Sequence, residues 1–164
     1  MRTFLIGCTV LFALVTLVVA MPRISTAMQA HRDLAAVRAA TAKYHDVQQA
    51  LADGYLPAPE CAASPDGGMG YHYVHPQLSS DLTSNPLQPE VLLYAPSGSG
   101  LKLVDVEYFQ ADAGQARPEV LGQPFDGPMP GHEPGMPVHY DLHAWIWQAN
   151  PSGLFFPWNP NITC

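Results

Sequence analysis

Charge is scarce in this sequence. Only 13% of the 164 residues are charged, with seven Lys and Arg against fourteen Asp and Glu, a formal net charge of −7. Nothing here forms a basic footprint for nucleic acid or for an anionic membrane surface. The three cysteines cannot make a paired CxxC zinc site, and no HExxH segment is present. Also missing are a glycine-rich phosphate loop, a nucleophile elbow and any internal repeat. What is plentiful is hydrophobic residues, at 48%, together with seventeen prolines and thirteen glycines. That balance excludes the low-hydrophobicity, high-charge signature of disorder and predicts short elements joined by much ordered loop.

The chain opens with Arg2 and then runs free of charge from Phe4 to Ala20. Small-x-small sites follow at Val18-Val19-Ala20 and at Ser25-Thr26-Ala27, the second cleaner because Pro22 crowds the first. Residues 1–27 read as a secretory signal peptide, with a mature start near Met28 and a secreted or cell-envelope destination. An uncleaved N-terminal anchor is the alternative, and only that would put the chain on a membrane, since the apolar run is near the lower limit for a bilayer span. Cys8 stays with this segment. Cys61 and Cys164 remain as an even pair in an oxidising compartment, and a disulfide between them is expected. Residues 28–164 are expected to form a single domain.

Gln29–Gly54 predicts one amphipathic helix. Leu34, Val37, Thr41, Tyr44, Val47 and Leu51 step by three or four along one stripe, flanked by alanines. Gly54 is a stop signal, with Pro57 and Pro59 beyond it. His45 borders the stripe as a packing residue. Pro57–Gly70 reads as a loop. Strand signals follow at Gly70–His75, at Glu90–Ala95 and at Leu101–Gln110, the last two joined as a hairpin through Pro96–Gly100. Ala111–Pro137 is broken by six prolines and has no period. Leu121, Phe125 and Met129 are its anchors to the body. The last strand is Val138–Gln148, and the aromatic tail with Leu154, Phe155, Phe156 and Trp158 packs back. Asn161-Ile162-Thr163 matches the short glycosylation triplet. The order implies an α+β fold: a helix on an antiparallel sheet of about four strands, with long proline-rich loops.

Side chains alternate faces along a strand. Val138, Tyr140, Leu142, Ala144 and Ile146 therefore share a core face, and His139, Asp141, His143, Trp145 and Trp147 share the other. Two imidazoles and a carboxylate on one face suit zinc, copper, nickel or iron. The candidate ligands are His139 and His143, completed by His132 from the preceding loop and by Glu107, or Asp105, from a neighbouring strand. Asp141, Glu133, His72 and His75 are alternative ligands or supports. His72 and His75 are three apart, so at most one joins the face directly.

The blocks GMGYHYV, LVDVEYF, GHEPGMPVHYDLHAW and NPSGLFFPWNPNITC resemble a family of small exported bacterial proteins, many of them actinobacterial. The resemblance spans Ala40 to Cys164. It implies an exported location and brings no catalytic residues with it.

Three readings of the histidine face stay open: a metal site, a metal-free acid/base site, and histidines that only fasten loop backbone. Two function classes follow. One is an exported protein that binds a divalent transition metal (zinc, copper or iron) and acts on or holds a small molecule. The other is a non-enzymatic exported module that binds a ligand or partner. The tryptophans serve either, as pocket wall or as core. Ser-His-Asp hydrolysis has residues but no activated-serine context.

Overall fold

A computed structural model describes residues 26–131 and 135–164. It is an α+β fold. Helix α1 (Thr26–Thr41) leads through a 3-10 turn at Ala42–His45 into a short α2 (Val47–Ala52). Eight strands follow: β1 (Leu56–Ser64), β2 (Gly67–Val74), β3 (Val91–Ser97), β4 (Gly100–Ala111), β5 (Glu119–Val120), β6 (Gln123–Pro124), β7 (Asp126–Met129) and β8 (His139–Ala144). Six of them form one antiparallel, curled half-barrel sheet in the order β1-β2-β3-β4-β8-β7, while β5 and β6 pair alone.

The helical segment packs on one face of the sheet. Val37, Tyr44, Ala50 and Tyr55 meet Leu92, Tyr94, Val106, Tyr108 and Leu142 there. Three polar contacts fix the angle: the Tyr94 hydroxyl donates to the Tyr44 carbonyl at 2.6 Å, Arg38 Nε donates to the Ile146 carbonyl at 2.9 Å, and Trp147 Nε1 donates to Thr41 Oγ1 at 3.2 Å. The opposite face carries Val91, Leu93, Val104, Phe109 and Trp145, covered by Met69 and by Ile162 of the tail.

The expected single helix is broken. Asp46 takes an extended conformation (φ −88°, ψ 107°) and its side chain accepts the Gln48 N–H, so it caps a new helix. The break rotates the stripe, and the buried residue in α2 is Ala50, whereas Leu51 faces solvent. His45 meets Trp147 edge-on at 4.3 Å but stays exposed rather than packing into the stripe.

The sheet also has more strands than the four expected. Pro57–Gly70, expected as loop, is β1 and the start of β2. Strand β1 is an edge, where Pro57 and Pro59 leave no gap in an interior ladder. The glycines after it admit the C-terminal tail. A Cβ on Gly68 would lie 2.8 Å from the Ile162 side chain, and Gly68 exchanges backbone hydrogen bonds with Asn159. The other edge, β7, comes from the proline-rich stretch, which also holds the small β5–β6 pair and is anchored by the buried Phe125 and the partly buried Leu121. The β3–β4 hairpin closes as expected, with Ser97 opposite Gly100.

Cys61 and Cys164 form a disulfide, with Cα atoms 5.6 Å apart. No helix among the described residues is long and apolar enough to cross a membrane.

Candidate metal centre

Strand β8 presents His139, Asp141 and His143 on the face away from the helices, and all three are buried. Tyr140, Leu142 and Ala144 point to the helix side as alternation requires. The strand stops at Ala144, short of the expected Gln148. Beyond it the Trp147 and Gln148 N–H groups both donate to the Val104 carbonyl, which turns Trp147 to the helix side. Trp145 alone stays with the histidine face, with its ring plane 14° from that of His143 and its Nε1 donating to the Phe156 carbonyl.

Strand β4 supplies the carboxylates through a bulge. Leu103 pairs with Tyr94, but Asp105 pairs with Leu93, so one extra residue, Val104, sits between successive pairs. Before the bulge the odd-numbered Leu101 and Leu103 pack on the helix side; after it the odd-numbered Asp105, Glu107 and Phe109 face the other way. A bulge re-aims side chains in this manner, and it is what brings the acids to the histidines. The register then sets Glu107 opposite His143, Phe109 opposite Asp141 and Ala111 opposite His139.

Three groups converge. One ligand atom each from Glu107, Asp141 and His143 lie within 4.8 Å of one another, and all three residues are buried. Asp105 stands behind His143, with Oδ2 2.6 Å from Nδ1 and Oδ1 accepting the Ala144 N–H at 2.9 Å. A carboxylate at Nδ1 holds one proton there, so Nε2 is the nitrogen that a metal would take, displacing any proton it carries. That Nε2 is buried and has no hydrogen-bond partner among the described residues.

His139 sits beside this group rather than in it. Its Nδ1 is 3.0 Å from the Pro137 carbonyl, its ring stacks on Phe109 at 5.1 Å, and its Nε2 is 3.5 Å from Asp141 Oδ2. Asp141, a supporting residue in the sequence reading, takes the more central place. Of the two histidines on β2 and just after it, His72 joins, with Nε2 3.4 Å from Glu107 Oε2. His75 turns away: its Nδ1 accepts the Leu78 N–H and its ring meets Tyr55 edge-on. His132 and Glu133 lie outside the described residues.

The electrostatics reflect charge held away from water. Burial pushes the Glu107 carboxyl up to about 8, reinforced by the neighbouring Asp141 and Asp105 and opposed by His143 and His139. Burial disfavours the His143 imidazolium, yet the Asp105 hydrogen bond and the surrounding carboxylates outweigh it and raise the group to about 9. Burial also raises Asp105, against its bond to His143. His139 is raised too: burial opposes its charge, but Asp141 and the Pro137 carbonyl favour it more.

Glu107 and His72 also line a cavity of about 660 Å³ over this face of the sheet. Gly135, Met136 and Pro137, at the end of the proline-rich stretch, also line it. Nothing in the sequence marks this cavity, whose walls come from five separate segments.

No protein-family model, curated protein or solved structure matches the chain. The chemistry open to the site therefore rests on its own donors, one imidazole nitrogen and two carboxylates, a set that suits a divalent transition metal.

Proposed function

We propose that this is an exported protein that holds one divalent transition metal on Glu107, Asp141 and His143, with the ion facing a cavity for a small molecule. One observation carries the reading. His143 has its Nδ1 committed to Asp105, while its buried Nε2 stands beside two carboxylates without a hydrogen-bond partner among the described residues. Buried polar groups left in this way are costly, and a cation among them supplies the missing partner. Ligands about 2.0–2.2 Å from a tetrahedral zinc lie about 3.3–3.6 Å apart, so a group whose atoms lie within 4.8 Å closes on an ion by drawing together. Three protein ligands leave a coordination position for water or a ligand, the arrangement of reactive rather than purely structural zinc sites. Zinc and iron fit the oxygen-rich set better than copper.

Export is part of the proposal. The Cys61–Cys164 disulfide suits an oxidising compartment, as do the signal-like N-terminus and the resemblance to exported bacterial proteins. The second reading is a binding module whose histidines only fasten structure. It draws on His139, whose contacts to Pro137, Phe109 and Asp141 are all structural in kind.

Two variants separate the readings. Glu107→Gln and His143→Ala should each abolish the gain in melting temperature that added zinc confers on the chelator-treated protein. If zinc confers no gain on the parent protein, the metal reading falls and the binding module stands.

A further inference from the structure

We infer that the cavity over the metal centre binds a small, uncharged molecule with an apolar body and a hydroxyl head, an alcohol or a phenol. The inference rests on the proposed metal centre and names what that centre would meet.

The apolar body follows from the walls. Val74, Val91, Phe109 and Met136 surround the space, and its size falls within the range of small-molecule pockets. The polar residues of the lining are the buried pair His72 and Glu107, together with Glu60, Ser79 and Ser80; the rest is apolar. A ligand complementary to this cavity is apolar over most of its surface, with a polar group to meet the buried His72–Glu107 pair.

Charge decides the nature of that group. Glu107 and Asp141 together balance a divalent ion, so an anionic head would add a buried charge with no counterpart. Among the described residues no lysine or arginine lines the cavity, and the exposed charged side chain of its lining, Glu60, is acidic. An anion is therefore repelled on entry and uncompensated on arrival. A hydroxyl meets both demands of the centre. Its oxygen lone pair can occupy the open coordination position, and its proton can be donated to Glu107, whose Oε2 is buried and accepts no hydrogen bond among the described residues. A carbonyl head could do only the first.

The test uses the mature chain loaded with cobalt(II), whose content is measured first. Cyclohexanol should shift both the cobalt absorption bands and the Met136 methyl resonance. Ionised cyclohexanecarboxylate should bind at least tenfold more weakly. Val74→Phe, which fills the cavity two strands from Glu107, should weaken cyclohexanol binding at least tenfold. The inference is overturned if the carboxylate binds as well as the alcohol, if cyclohexanol leaves the loaded protein unchanged, or if Val74→Phe binds it normally. In those cases the measured cobalt leaves the metal centre standing. A chain that takes up no cobalt overturns the metal centre itself, and the hydroxyl assignment with it.

Discussion

Asp105 binds two donors at once: Oδ2 lies 2.6 Å from Nδ1 of His143, and Oδ1 accepts the Ala144 N–H at 2.9 Å. Both partners need an acceptor, and a carboxylate offers two. An asparagine offers one. If its carbonyl stays on Ala144, its amide meets His143 Nδ1 and drives the proton to Nε2, the atom that should bind metal. Asp105→Asn should therefore keep the fold and weaken zinc binding about 10- to 100-fold, the usual range for a lost orienting carboxylate. Competition against a chelator of known affinity measures it. Unchanged affinity would mean that Asp105 does not set the state of His143.

The disulfide should dominate the stability of the tail. It links residues 103 apart in sequence, and the chain-entropy model gives about 4.7 kcal/mol for a loop of that order. Beyond it the tail is held by the Gly68–Asn159 backbone pair and by Ile162 packed on the sheet. The double Cys61→Ser, Cys164→Ser variant should lose roughly 2–5 kcal/mol in denaturant unfolding. A change below about 1 kcal/mol, the scale of an ordinary substitution, would show that these other contacts suffice.

Glu90 should make stability depend on pH, separately from the centre. It is buried, and burial pushes its carboxyl up to about 8 from an ordinary 4.5, although the Phe109 N–H favours the charged form. Between those two values the folded chain keeps a proton that the unfolded chain releases. Its contribution is complete below 4.5 and is lost as pH rises through about 8. Glu90→Gln keeps the shape and the acceptor for Phe109 but cannot ionise. Urea unfolding with chelator present should show the parent protein losing stability relative to the variant across that window. Parallel curves would contradict it.

The candidate site was partly legible because a strand has a period of two. That period alone puts His139, Asp141 and His143 on one face, and the LKLVDVEYF run offers Glu107 from a neighbouring strand. It also says that only one of His72 and His75 can join. What could not be read depends on contacts distant in sequence. Strict alternation carries no sign of the bulge at Val104, which places Asp105 and Glu107 opposite to Leu101 and Leu103. Trp147 leaves its expected face because backbone donors beyond Ala144 find the carbonyl of that same bulge residue. In β1 the prolines look like loop, and only an edge position makes them compatible with a strand. The helix was legible as a stripe but not as two pieces, since Asp46 competes as a cap within an otherwise helical pattern.

The metal centre stands or falls on elemental analysis of the protein purified without affinity metals or chelators. About one equivalent of zinc or iron per chain is expected, removed by chelation and restored with a gain in melting temperature. Absence of any stoichiometric metal, with no change in melting temperature across a panel of divalent ions, would contradict it and leave the buried histidines as fastenings of the fold.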